Sequence, residues 1–313
     1  MAVKATRQSF GETVALLGET NPNIVVMDAD LGKSTMTGGF QKKFPDRYLE
    51  MGIAEHNLIG TAAGLSLAGK IPFATSFSCF IAGRYETIRM SVAYPNANVK
   101  IVGTHAGVGI GEDGYSQMGL EDVALLRSLP NFTILQPADD LETRQAVEWA
   151  AAHSGPVYLR LTRQKVFDVH SPGYVFQAGK GDVLARTRPG KKPVVTVFAT
   201  GGVVANAGRA LEDLAGEPFG INLVNIHTLH PIDRELVVRL ARESRAILTV
   251  EDHSVTGGLG SAVSEAVAGA GIGVRVVRHG LSGYGESGDP EGLYEKFGLS
   301  ASGIKARILE AAK

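Results

Sequence analysis

The chain has 313 residues, 44% hydrophobic and 20% charged, enough for two ordinary domains that each bury a core. A formal net charge of −1 argues against a protein built chiefly to hold nucleic acid or an anionic membrane, since either partner calls for a basic surface, though a small basic pocket would hardly move the total. A single cysteine, Cys79, excludes an intrachain disulfide and a cysteine-rich metal site. That usage fits a reducing compartment. The first residues do not pattern as a signal peptide, and no apolar run approaches the ~18 residues of a membrane span. A cytoplasmic protein is expected.

Apolar runs alternate with helical patterns along the chain. A helix is expected over ATRQSFGETVALLGE and a buried strand over NIVVMDAD (23–30). A helix over AEHNLIGTAAGLSLAG follows, then a strand over IPFATSF (71–77), a helix at ETIRMSVAY and a strand over VKIVGTH (99–105). Strands FTILQP (132–137) and PVYLRLT (156–162) flank a helix over DLETRQAVEWAA. Residues 175–192 lose helical periodicity and gain Lys, Arg, Gly and Pro, as an interdomain connection does. Alternation restarts with strands at PVVTVFAT, INLVNIH, AILTVED and VRVVRHG, separated by helical patterns and closed by a helix through SGIKARILEAAK. The expected fold class is α/β. Residues 1–174 and 193–313 form two domains, each a mostly parallel sheet covered by helices. Ligands in such sheets sit beyond the strand carboxyl ends.

Residues 51–80, MGIAEHNLIGTAAGLSLAGKIPFATSFSCF, hold the first candidates. Taken alone, Glu55 is a first-turn carboxylate favoured by the helix dipole, and Phe77 and Phe80 are core. Together, GIAEHN, TAAGLSLAG and TSFSCF resemble the pyrimidine-binding domain of transketolases. The resemblance implies a thiamine-diphosphate-binding fold. Glu55 then falls on the glutamate that hydrogen-bonds a ring nitrogen of the aminopyrimidine and does the acid–base work of cofactor activation. Phe77 and Phe80 fall on the aromatic residues that pack against that ring.

The run THAGVGIGEDGYSQMGLEDVALLRSLPN (104–131) leaves a strand through a Gly-rich loop without P-loop spacing. It resembles the transketolase loop that meets the sugar. By that resemblance His105 and Asp113 bind hydroxyls of the donor ketose, and His105 joins Glu55 as a catalytic residue. Gln117 stands where transketolases usually carry a second histidine; it can hydrogen-bond but cannot carry charge. KATRQSF, DADLGKST and LRLTRQKV match further family motifs. They place Arg7, Ser34 and Arg163 on an anionic sugar tail, and Asp30 and Leu31 beside the cofactor. Arginine suits phosphate because its planar fork donates two bonds at once. Arg160, near Arg163, is off the matched position.

NIHTLHPID, EDHSVTGGLGSAV and GYGESGDPEGLYEKFGLS resemble the transketolase C-terminal domain. His227, His230 and His253 lack zinc spacing and are expected to pack, and no metal ligand is expected on this chain. The GDG motif with downstream Asn, which holds Mg²⁺ and the cofactor's diphosphate in the family, is not found, and the chain opens on the pyrimidine domain. The resemblance therefore implies a split transketolase. A separate N-terminal-half subunit would carry Mg²⁺ and diphosphate in an α₂β₂ assembly that also self-associates through this chain, acting on sugar phosphates. A 2-oxoacid dehydrogenase beta subunit, a deoxyxylulose-phosphate-synthase-like enzyme and a non-catalytic binding module on the same fold are the alternatives. The pathway, pentose phosphate or specialised sugar degradation, stays open.

Overall fold

The computed structural model describes residues 3–188 and 193–313. Fourteen strands are assigned among them: β1 (Val3–Ala5), β2 (Ile24–Asp28), β3 (Tyr48–Glu50), β4 (Ile71–Phe77), β5 (Lys100–Thr104), β6 (Thr133–Leu135), β7 (Val157–Arg160), β8 (Lys165–Phe167), β9 (Asp182–Arg186), β10 (Pro193–Ala199), β11 (Gly220–Asn225), β12 (Thr228–His230), β13 (Ala246–Ser254) and β14 (Arg275–Leu281). Two sheets dominate. The first runs β12-β6-β7-β5-β4-β2-β3 and the second β14-β13-β10-β11-β9. Within each, the inner strands are parallel and a single edge strand, β12 or β9, is antiparallel. Every residue of β2, β5 and β7 is buried. Strands covered by helices on both faces need side chains that tolerate burial on both sides, which is why these runs are nearly unbroken in hydrophobicity.

The expected strands and helices are present, and the short edges are additions. Of the expected connection 175–192, residues 189–192 lie outside the described residues, while Asp182–Arg186 forms β9 and pairs with β11. The three-residue β12 crosses over to pair with β6 of the first sheet. Strands of five and three residues at a sheet edge carry too few side chains to show a clear period, so neither β9 nor β12 is visible as a pattern. Apolar clusters also cross the boundary: Leu58 and Ile101 share one with Phe198 and Leu240. No helix among the described residues is long and apolar enough to cross a membrane.

The first sheet delivers its chemistry to one edge. The carboxyl ends of the parallel strands β2, β4, β5 and β7 lead into Asp28–Ser34, Phe77–Phe80, Thr104–His105 and Arg160–Arg163 respectively. A two-stranded ribbon adds one more position. β1 pairs with β8 antiparallel, Ala5 opposite Lys165. This sets the first turn of the helix Thr6–Thr20, and with it Arg7, beside the segment that carries Arg163.

Candidate active site

Glu55 is the first residue of the helix Glu55–Leu67, where exposed backbone N–H groups favour a carboxylate. It is 6% exposed, and its one side-chain partner is Ser76 Oγ, which donates to Oε1 at 3.4 Å. A buried carboxylate with a single long hydrogen bond keeps acceptor capacity for a ligand donor. The loop before it is braced by Glu50, whose Oε1 accepts from the amides of Asp30 at 2.7 Å and Gly52 at 2.9 Å.

Phe77 and Phe80 sit on the turn leaving β4, with ring planes 8° apart and centroids 5.7 Å apart. Phe77 also stacks on His105 at 3.7 Å. His105 is 2% exposed and holds a left-handed backbone, φ 57°. Its Nε2 lies 2.9 Å from Arg7 Nη1 and its Nδ1 2.9 Å from Thr104 Oγ1. Arginine only donates, so Nε2 accepts, and the ring hydrogen rests on Nδ1, donated to Thr104. Thr104 in turn donates to the Ser76 carbonyl at 3.4 Å. Burial, then the charges of Arg7 and Arg163, push the imidazole down to about 3. His105 is therefore neutral at physiological pH.

Arg7 donates to the Ser34 carbonyl at 2.6 Å, and its Nε is buried without a partner among the described residues. Burial and the neighbouring Arg163 lower its pKa, while Asp113 opposes the shift. Arg163 donates to the Ile110 carbonyl and, at 3.1 Å, to Glu112. Arg7, Ser34, His105, Asp113 and Arg163, drawn from four separate stretches of chain, thus converge. Asp30 is exposed at φ 62° on the rim. Leu31 packs, half-buried, on the apolar cluster that contains Phe77 and receives Phe80. Gln117 is half-buried, tied in through its carbonyl, which accepts from Cys79 Sγ at 3.1 Å.

Several contributors went unnamed in the sequence reading. Asp28, fully buried, accepts from the Leu31 amide at 2.6 Å, Thr35 Oγ1 at 2.5 Å and Thr75 Oγ1 at 2.6 Å, so it shapes the loop bearing Ser34. Its place at a strand's carboxyl end, ahead of two threonines, was the available signal. Ser76 and Thr104 carried none. Arg160 is buried, donating to Asp122 at 2.8 Å and to the Gly119 carbonyl at 2.8 Å. His227 and His253 are buried, and His227, His230 and His253 are bonded to Thr228 Oγ1, the Phe132 carbonyl and the Ser254 carbonyl. Among the described residues no group of three or more His, Cys, Asp or Glu could hold a metal ion.

The family models for the transketolase pyrimidine-binding domain and the transketolase C-terminal domain match residues 2–168 and 184–304. The chain belongs to the transketolase family. Within it, the chain corresponds to the C-terminal half. It is 41% identical, over 99% of its length and 97% of the relative's, to a Methanocaldococcus jannaschii chain assigned as a transketolase C-terminal section. It is 39% identical to the 6-deoxy-6-sulfo-D-fructose transketolase subunit of Clostridium sp., over 95% of this chain and 91% of the relative. Mouse transketolase is 38% identical over 99% of this chain, which spans 48% of that protein. A split-gene transketolase solved as an inactive beta4 tetramer superposes with a TM-score of 0.88 at 46% identity, over 99% of each chain.

Proposed function

We propose that this chain is one subunit of a thiamine-diphosphate-dependent transketolase that moves a two-carbon ketol unit from a ketose phosphate to an aldose phosphate. The observation that carries the reading is the unbroken line Phe80–Phe77–His105–Arg7, with Ser34 and Arg163 at its far end. Aromatic, neutral polar and cationic surfaces succeed one another as a heteroaromatic ring, a sugar chain and its anionic tail would require. When bound, the cofactor supplies a nucleophilic carbon and an electron sink.

Glu55 holds the proton shared with the pyrimidine ring, from a buried position that keeps water away from it. Phe77 and Phe80 would pack against that ring, and Asp30 and Leu31 would lie beside the cofactor. His105 stays neutral, so it meets sugar hydroxyls as a hydrogen-bonding group, and Asp113 and Gln117 add polar partners. Arg7 and Arg163 hold the oxyanion, beside Ser34. The Clostridium relative is named for a sulfonated ketose, whose tail offers arginine a similar set of oxygens.

The diphosphate and Mg²⁺ are assigned to a separate N-terminal-half subunit in an α₂β₂ assembly. The inactivity of the beta4 tetramer supports dependence on such a partner. So does apolar exposure around the Glu55 helix, at Ile53 (82%) and Leu67 (81%), and at Tyr94 (83%) just beyond the neighbouring segment Ile88–Ala93. Co-expression with an N-terminal-half chain, followed by an assay of ketol transfer with thiamine diphosphate and Mg²⁺, tests the reading. Transfer between sugar phosphates is expected. Pyruvate-dependent release of CO₂ would favour a 2-oxoacid dehydrogenase subunit, and calorimetry without cofactor binding would favour a non-catalytic module.

A further inference from the structure

Asp252 belongs to the second domain, on β13, yet its carboxylate reaches the backbone of the first. Oδ1 accepts from the Val108 amide at 2.8 Å, and Oδ2 accepts from the Gly109 amide at 3.3 Å and from Tyr294 Oη at 2.9 Å. Tyr294 Oη accepts from Gln164 Nε2 at 2.7 Å, one residue past Arg163. The Asp252 carbonyl accepts from Arg160 at 3.1 Å. Asp252 is 4% exposed, so all these groups have given up water for one another.

The glycines between His105 and Asp113 show how tight the clamp is. Gly107 sits at φ 82°, and a Cβ there would lie 2.1 Å from Asp252 Oδ2. A Cβ on Gly109 would lie 2.2 Å from Gln164 Nε2. Further along, Ser287 donates to the Glu112 carbonyl at 2.5 Å and the Tyr115 ring meets Tyr284 at 4.3 Å. The turn that links His105 to Asp113 therefore leans on the second domain along its length.

We infer that Asp252 is a positioning residue through which the C-terminal domain sets the sugar-binding turn 107–113, so that this domain tunes ketose affinity without touching the ketose. The inference rests on the transketolase reading for its consequence, though not for its geometry. A carboxylate is needed because two amides and a phenol converge on one side chain. An amide side chain has one acceptor oxygen and presents N–H donors to the rest.

The test compares Asp252→Asn and Tyr294→Phe with the wild-type chain. In the complex with an N-terminal-half subunit, Asp252→Asn is expected to raise KM for the donor ketose about tenfold or more, and Tyr294→Phe by less. Cofactor affinity should stay within twofold. In the isolated chain, amide hydrogen exchange should quicken at residues 107–112 and remain unchanged in β2 and β4. Unchanged KM and unchanged exchange in both variants would overturn the inference. So would a uniform loss, with exchange rising across the first sheet and cofactor affinity falling together, because Asp252 would then be only a structural residue. If the wild-type complex transfers no ketol unit, the transketolase reading fails, and the exchange measurement still decides whether Asp252 holds the turn.

Discussion

Arg7 donates to Nε2 of His105 at 2.9 Å, across 98 residues of sequence, and this contact selects the imidazole's tautomer. The ring is held neutral because burial and two guanidinium groups drive its pKa to about 3. Nitrogen NMR is expected to show a proton on Nδ1 and no titration of this ring between pH 5 and 8. The unfolded histidine takes a proton below about 6.5 and the folded one only near 3, so His105 costs stability progressively as pH falls through that interval.

The two arginines should govern recognition of the anionic tail. Replacing Arg163 or Arg7 by Lys keeps the charge and loses the planar fork. A charge-assisted hydrogen bond is worth about 1.5–3 kcal/mol, so KM for a phosphorylated ketose should rise roughly 10- to 100-fold. A ketose without phosphate should respond far less to Arg163→Lys, and steady-state kinetics on the two substrates separates the cases.

His170 should make stability fall at alkaline pH. Burial alone would lower its pKa, but Asp139 at 2.9 Å, Asp182 at 3.5 Å and Glu142 at 3.7 Å raise it to about 10. Asp182 comes from β9, so the charged ring ties the expected connection to the first domain. The contribution is whole below about pH 6.5 and disappears as pH climbs through about 10. Urea unfolding of His170→Gln should lose this dependence while the wild-type chain keeps it.

Arg160 pairs with Asp122 at 2.8 Å, both nearly free of solvent. Breaking a buried pair from one side strands the other charge, at a cost of about 3–5 kcal/mol. Arg160→Met should therefore lower the denaturation midpoint sharply, and Arg160→Met with Asp122→Asn should recover part of the loss. Denaturant titration of the two variants beside the wild-type chain checks both statements.

The parallel strands and their covering helices were readable because a strand buried on both faces leaves an apolar run that turns and helices punctuate. Glu55, Phe77, Phe80, His105 and Arg163 could be singled out as candidates because they follow such runs within motifs that resemble the family's. Asp252 could not. Its role depends on a contact 144 residues away with the Val108 amide, and backbone donors leave no trace in sequence. Arg160 was set aside because it is off the matched family position, and alternation on a strand does not tell an exposed face from a domain junction. β9 and β12 were invisible because edge strands of three to five residues are chosen by the partner they reach.

In the proposed complex Glu55 supplies the acid that activates a cofactor anchored on another subunit. Hydrogen–deuterium exchange at the cofactor's thiazolium carbon, followed by acid quench and proton NMR in the reconstituted complex, tests it most directly. The complex should exchange that proton at least ~100-fold faster than the free cofactor, in line with general acid–base catalysis. Glu55→Gln should abolish the acceleration, and Arg163→Ala should leave it intact. An unaltered exchange rate in Glu55→Gln would show that Glu55 does not activate the cofactor.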